Sequence, residues 1–298
     1  MIIKNIKIFL QNVWKNNLIV NTILEIQFKF NILFIQKPSW LTIYSIPSSK
    51  SKDGKELIRV PNHPNWLVFA NKSSNIHDCP RVITYINTRL SPLCFSLHKD
   101  ILSHRNISII SLHINNNIFF LINIYSGSSQ SALKYLKDTG VDISNILVMA
   151  GDFNIRDSFW DPMYSYHSPH SDLLLDIIDS FLLELLYPTN PISTRYSDND
   201  QSSNLVINLM FFRYGLVELD NHTIHLEWRL LSDHTPLTIT IPIEEYSENQ
   251  RQSITKDSKE EKSFIKNLIK EIVSINTSNL SDTIVLKNIV ELFTSTVE

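Results

Sequence analysis

The chain has 298 residues, 43% of them hydrophobic, which is enough for a globular protein with a sizeable core in one large or two ordinary domains. It has only 5 Gly, far below the usual share of about 7%, which excludes a Gly-rich phosphate loop of the Walker type. The formal net charge of -3 gives no global attraction to polyanions, so contact with nucleic acid would need a local basic face.

Short apolar runs between Asn, Ser and Pro residues predict a strand-rich protein. Their length and β-branched content are typical of buried strands. In chain order, the predicted strands are 6–10, 32–36, 66–70, 81–86, 107–114, 118–125, 146–150, 205–212 and 237–241. Helical periodicity predicts helices over 18–29, 131–138 and 171–182. Many strands and few helices indicate two packed sheets flanked by helices.

The composition changes after residue 243, where charged side chains replace core candidates. We therefore predict one domain over 1–243, followed by a charged linker and amphipathic helical tail over 244–298. Within this tail, Ser258 and Glu261 form a capping box ahead of an apolar stripe at helical spacing. Because the stripe has no obvious partner in a sandwich closed by its own helices, we expect the tail to be dispensable for folding.

The N-terminal apolar stretch is too short for a membrane span. It follows Lys4 and Lys7 but is interrupted at Gln11, so we interpret it as a strand and expect no signal peptide and no transmembrane segment. Cys79 and Cys94 lack the Cys-x-x-Cys spacing of a zinc site or a disulfide framework. We expect an intracellular protein, nuclear or cytoplasmic.

The first chemical motif is Gly151-Asp152-Phe153-Asn154, directly after the buried run 146–150. A strand that ends in a tight turn would present Asp152 and Asn154 at the sheet edge, where a carboxylate and an amide face a phosphate together. The alternative is an Asx-turn at a strand end, because Asp and Asn are common turn residues.

The second motif is Ser232-Asp233-His234, immediately before the predicted strand 237–241. It places an acid and an imidazole at a strand start. Alone, the tripeptide would indicate a surface turn with an ordinary histidine. Its position downstream of the Gly-Asp-Phe-Asn turn, with both motifs beside strands, favours a shared site.

With these motifs in this order, the sequence resembles the endonuclease/exonuclease/phosphatase superfamily, specifically the endonuclease domain of non-LTR retrotransposons from fungi. The resemblance covers most of the chain. The similar segments are Leu10-Gln11-Asn12-Val13, Ile35-Gln36-Lys37-Pro38, Asn123-Ile124-Tyr125, Gly151 to Asn154, His170 to Asp176, Pro191 to Arg195, Val206-Ile207-Asn208-Leu209 and Ser232-Asp233-His234. The residues around 154–162 and 194–213 resemble fungal retrotransposons and argue against other superfamily activities, such as sphingomyelin or inositol-phosphate hydrolysis.

The resemblance implies an α/β (α+β) fold, a four-layer DNase I-like sandwich of two packed mixed β-sheets flanked by helices, with the active site at one edge. It implies DNA as the partner and a hard Mg²⁺ or Mn²⁺ ion held by oxygen ligands, with no small-molecule cofactor. Asn12 and Asp233 would lie at this metal.

The resemblance also implies the catalytic roles. Tyr125 would contact the scissile phosphate, and Asp152 would orient and deprotonate the attacking water. Asn154 would bind a phosphate oxygen, and His234 would stabilise the negative charge that develops opposite the nucleophile.

One departure from the family is Lys37, at the metal position where the second motif has Gln-Glu and the Glu is the principal ligand. A protonated lysine has no lone pair and repels Mg²⁺. At about 4 Å and an effective dielectric near 20, the exchange turns an attraction of roughly 4 kcal/mol per unit charge into a repulsion of similar size. We expect metal affinity to collapse and the ammonium to pair with Asp152 and Asp233.

The other departure is Asn208, where the fifth motif has the Asp that orients the catalytic histidine. An amide still accepts a hydrogen bond but adds no charge, and removing such a carboxylate elsewhere costs up to about 10⁴ in rate. The alternatives are that the family tolerates such variation or that the sequence contains errors. We predict that all eight candidate residues converge on one cleft.

Three hypotheses follow. The first is a divergent metal-dependent DNA endonuclease domain, derived from a retrotransposon and weakened or inactive through Lys37 and Asn208. The second is an active enzyme in which another acid reaches the metal, or the metal lies elsewhere among Asp152, Asp233 and Asn12. The third is a non-catalytic DNA- or partner-binding module on the same fold. Because such elements continue into a reverse transcriptase, we expect the chain to be a fragment or truncated copy.

Overall fold

The computed structural model describes residues 5–27, 29–39, 44–47, 55–58, 61, 63–71, 79–90, 95–98, 101–114, 117–140, 145–188, 192–196, 204–213, 222–230 and 232–242. The chain divides into two units, Met1–Glu245 and Tyr246–Glu298, and every described residue belongs to the first. The predicted linker and helical tail over 244–298 lie outside the described residues, so their structure and the boundary at residue 243 stay predictions.

The described residues form fourteen strands and three α-helices. In chain order these are β1 Asn5–Asn12, α1 Asn17–Ile26, β2 Ile32–Gln36, β3 Tyr44–Pro47, β4 Lys55–Ile58, β5 Trp66–Phe69, β6 Val82–Asn87, β7 Phe95–Leu97, β8 Ile107–Ile114, β9 Asn117–Tyr125, α2 Ser131–Asp138, β10 Ile146–Asp152, α3 Pro169–Ser180, β11 Leu183–Leu185, β12 Asn208–Arg213, β13 Thr223–Ile224 and β14 Leu237–Pro242. None of the helices in these ranges combines the length and the apolar character needed to cross a membrane.

Twelve of the strands form two six-stranded mixed sheets. The first sheet has the order β13-β14-β1-β2-β6-β5, the second has the order β11-β12-β10-β9-β8-β7, and β3 pairs with β4. In each sheet one neighbouring pair near the centre is parallel, β1 with β2 and β9 with β10, whereas the other pairs are antiparallel. The predicted fold class, two packed mixed sheets flanked by helices, is confirmed.

Each sheet packs a helix layer against its outer face. Phe9 and Leu33 of the first sheet contact the apolar side of α1, and Met149 and Phe211 of the second contact α2 and α3. Alternate residues of these strands point the opposite way, toward the other sheet. Because both faces are buried, the strands are nearly continuous apolar runs.

Several element bounds differ from the predictions for identifiable reasons. The run predicted as a strand over 205–212 becomes regular only at Asn208, because Leu205 bridges Arg195 instead. The third helix begins at Pro169, where the Ser168 side chain accepts the N–H of His170, and ends at Ser180. Five strands were not predicted, namely β3, β4, β7, β11 and β13; each has two to four residues, too few to display a period.

Candidate active site

Several motif residues stand at strand ends that meet between the two sheets. Asn12 ends β1, beside Gln36 at the end of β2. Asp152 ends β10, beside Tyr125 at the end of β9 and opposite Asn208 at the start of β12. These residues alternate with neighbours that pack against the outer helices, so they face the opposing sheet. The sandwich therefore brings them to one edge.

Asp152 is fully buried and held by two hydrogen bonds. Its Oδ2 accepts Asn12 Nδ2 at 2.6 Å, and its Oδ1 accepts the backbone N–H of Asn154 at 3.1 Å. The second bond is the Asx-turn considered above, so this motif forms a turn and lies at the shared site. Burial raises the pKa of Asp152, and the charges of His234 and Lys37 oppose the rise.

His234 lies beside Asp152, buried against three side chains. Its Nδ1 is 3.2 Å from Asn208 Oδ1, and its Nε2 is 3.2 Å from Asn12 Nδ2 and 3.9 Å from Asp152 Oδ2. An amide oxygen only accepts, so this network assigns the proton to Nδ1 and leaves Nε2 as the acceptor. Burial lowers the pKa of His234, although the neighbouring carboxylates oppose this. The surface-turn alternative is wrong, because this histidine is buried.

Asp233 completes this side of the site through an ion pair. Its Oδ2 accepts Arg195 Nε at 3.0 Å, and its Oδ1 is 3.6 Å from His234 Nε2. The backbone of Arg195 also bridges that of His234. Sequence reasoning gave Arg195 no role beyond a loop similar to that of the family.

Lys37 follows β2 in a left-handed conformation, with a φ of 46°. Its Nζ lies 5.0 Å from the centroid of the Tyr125 ring. The predicted ion pair of Lys37 with Asp152 or Asp233 is not formed among the described side chains. Both carboxylates already have other partners, because Asp152 accepts two hydrogen bonds and Asp233 is paired with Arg195.

No protein-family model matches the chain, and no curated protein sequence matches it significantly. Solved structures do. The endonuclease domain of TRAS1, a telomere-specific non-LTR retrotransposon, superposes with a TM-score of 0.55 at 14% identity, over 80% of this chain and 99% of that domain. The AP endonuclease LMAP from Leishmania major has a TM-score of 0.57 at 12% identity, over 80% of this chain and 88% of that one. The chain has the DNase I-like fold. At these identities the likeness concerns the fold alone.

Within this DNase I-like fold, the candidate metal position does not fit Mg²⁺. Mg²⁺ requires near-octahedral oxygen ligands. Asn12 instead directs its Nδ2 to Asp152, while its oxygen accepts the backbone N–H of Trp14 at 3.0 Å. Lys37 adds a positive charge nearby. Among the described residues, no group of three His, Cys, Asp or Glu side chains could hold a metal ion.

Gln36 and Asn123, which stand in two of the segments that resemble the family, join the sheets rather than line the site. Gln36 Nε2 donates to Asn123 Oδ1 at 2.7 Å, and Asn123 Nδ2 donates to the carbonyl of Ile83 at 2.9 Å. The only sequence signal for this pair was that both stood in matching motifs. These bonds between buried amides fix how the two sheets meet, and Gln36 Oε1 has no hydrogen-bond partner among the described residues.

Ser232 positions its neighbours, a role that the motif Ser232-Asp233-His234 does not predict. Its hydroxyl donates to the carbonyl of Asn12 at 2.7 Å and accepts the N–H of His234 at 3.0 Å. It therefore positions the two residues that flank Asp152. The side chain of Asn154, whose φ is 50°, donates to the carbonyl of Ser126 at 2.7 Å.

Proposed function

We propose that the chain is a divergent phosphodiesterase domain, derived from a retrotransposon endonuclease, that acts on DNA through a weakened catalytic site. The observation that carries this proposal is one amide group that joins the acid and the imidazole: Asn12 Nδ2 lies within hydrogen-bond distance of Asp152 Oδ2 and His234 Nε2. An acid and an imidazole held together in a buried site suit proton transfer in hydrolysis. An intracellular location, nuclear or cytoplasmic, accompanies this proposal.

In the proposed reaction, a water oxygen attacks phosphorus, the P–O bond to the leaving strand breaks, and the departing oxygen takes a proton from solvent. Asp152 takes the proton of the water, and burial makes its carboxylate a stronger base than an exposed one. His234 would stabilise charge on the phosphate by donating from Nε2, which requires the imidazolium. Because burial lowers the pKa of His234, most molecules at neutral pH hold the form that cannot donate there.

Two substitutions support the weakened state. Lys37 places an ammonium where the family that the chain resembles has a ligand carboxylate, so Mg²⁺ or Mn²⁺ binding is expected to be poor. Asn208 offers His234 an oxygen without a negative charge. Catalysis by metal is therefore not assigned to this site.

A plasmid-nicking assay tests the proposal. The unmodified chain should nick supercoiled DNA barely above background in Mg²⁺ or Mn²⁺. Lys37→Glu combined with Asn208→Asp should raise nicking above either change alone, and Asp152→Ala in that background should abolish it. Brisk nicking by the unmodified chain, lost in Asp152→Ala, would refute the weakened state but not the activity. No Asp152-dependent nicking in any variant would refute the phosphodiesterase proposal.

A non-catalytic DNA- or partner-binding module is the second candidate. The misfit of Lys37 and Asn12 with a metal site favours it, since a binding module needs cations but no Lewis acid. DNA binding that falls steeply with salt, without cleavage by the combined variant, would support this candidate.

A further inference from the structure

Two cations converge on one aromatic ring at the accessible side of the site. Lys37 Nζ and Arg81 Cζ lie 5.0 Å and 5.3 Å from the centroid of the Tyr125 ring. Lys37 and Arg81 are half-buried, whereas Asp152 and His234 are buried. A ligand that approaches from solvent therefore meets the cations before the acid and the imidazole.

Backbone hydrogen bonds fix the positions from which both side chains extend. The N–H of Lys37 donates to the carbonyl of Arg81 at 2.8 Å, and the N–H of Arg81 donates to the carbonyl of Arg105 at 2.6 Å. Tyr125 ends β9, in register with Asp152 of the neighbouring strand. Lys37, Arg81 and Tyr125, which we call the cationic cluster, thus join the ends of both sheets.

The charged side chains around the cluster leave an excess of positive charge that an anion can neutralise. Of the two site carboxylates, Asp233 is paired with Arg195, and the buried Asp152 accepts hydrogen bonds from Asn12 and Asn154. The cations Lys37, Arg81 and Arg195 outnumber these acids. A cation over an aromatic ring gains only about 0.5–2 kcal/mol, so the ring alone does not neutralise two charges. Arg presents a planar fork of donors and Lys a compact charge, both suited to phosphate oxygens.

We propose that the cationic cluster binds a backbone phosphate of DNA without a divalent metal, with the Lys37 ammonium and the Arg81 guanidinium contacting its oxygens. Lys37, which does not fit a metal position, is then a residue that binds the DNA phosphate. This inference rests on the proposed function in taking DNA as the partner. It requires no cleavage, and the two claims are tested separately.

The test measures the anisotropy of a short fluorescent DNA duplex on the full chain in EDTA, over roughly 50 to 200 mM salt. Lys37→Ala combined with Arg81→Ala should weaken binding at least about tenfold. The slope of log affinity against log salt should become shallower by roughly one, since both cations contact the same phosphate and one lost phosphate contact removes about one released counterion.

Lys29→Ala is the matched control, because Lys29 Nζ lies 3.9 Å from the Trp228 ring centroid, a similar pair before the opposite end of β2. This variant should bind the duplex within about twofold of the unmodified chain. Lys37→Arg keeps the charge and should retain binding. Near-unchanged thermal unfolding would show that the double variant is folded, and if it is not, Lys37→Gln alone should still weaken binding.

The outcomes separate the two claims. Equal affinity and equal salt slope for the double variant and Lys29→Ala would overturn the metal-free site. Asp152→Asn should abolish any nicking yet keep DNA binding in EDTA, because it leaves both cations in place. Loss of binding in this folded variant would also overturn the cluster. Absence of nicking throughout, with cluster-dependent binding intact, would instead reject the proposed hydrolysis alone.

Discussion

Asn208→Asp changes the charge beside the candidate catalytic histidine with little change of shape. Asn208 Oδ1 is 3.2 Å from His234 Nδ1. With charge centres about 4 Å apart and an effective dielectric near 20, a carboxylate there would attract the imidazolium by roughly 4 kcal/mol. Burying that carboxylate costs several kcal/mol, so the net gain is closer to the value of a charged hydrogen bond, about 1.5–3 kcal/mol.

The buried amide nitrogen of Asn208 sharpens this expectation. Nδ2 has no hydrogen-bond partner among the described residues, and an orphaned buried donor costs about 1–3 kcal/mol. Asn208→Asp removes that donor. We therefore expect a higher pKa for His234, because the imidazolium gains a partner. In the Lys37→Glu background, nicking should rise at least about tenfold near neutral pH.

Histidine NMR titration on isotope-labelled protein measures this pKa directly, with His234→Gln assigning the signal. Asn208→Ala serves as the control, because it removes the acceptor without adding charge and should not raise the pKa. If Asn208→Asp leaves the titration of His234 where the unmodified chain has it, the reasoning about the missing charge is refuted.

Three further predictions concern metal, backbone and pH. Lys37→Glu should give Mg²⁺ binding by calorimetry that the unmodified chain lacks; equal affinity would place the metal elsewhere. Gly151→Ala should destabilise the fold by at least about 3 kcal/mol in denaturant unfolding, because the new Cβ would lie 1.8 Å from the Ile124 carbonyl oxygen. Gly127→Ala, with its nearest contact at 3.8 Å, should cost far less, and similar losses would contradict the steric argument. Burial holds the pKa of His234 below its usual value of 6.5, so the histidine contributes stability that is present above about pH 6.5 and lost as the pH falls below it; His234→Gln should flatten this loss in denaturant unfolding at a series of pH values.

Local patterns were sufficient for much of the fold. Strands β2 and β8 and helix α2 have the predicted bounds, because each is an apolar run or a helical pattern that lies between Asn, Pro or Gly residues. The same patterns did not indicate which face of its sheet the Asp152 side chain would occupy, because strands buried on both faces lack polar alternation. The short strands β11 and β13 were not predicted because each depends on pairing with a neighbouring strand at the edge of its sheet. Strand β11 pairs with β12, and β13 pairs with β14 in the other sheet.

The sequence by itself determined the strand-rich sandwich and the chemical types at the site, because apolar periodicity and motif order are properties of local residues. Its resemblance to the family also predicts that Lys37 stands at the position of a metal ligand. Only the tertiary structure decided that Lys37 lies over Tyr125 rather than pairing with Asp152, and that Arg81 shares the ring. These contacts join residues far apart in the chain, and they depend on how two sheets pack, which no local pattern encodes.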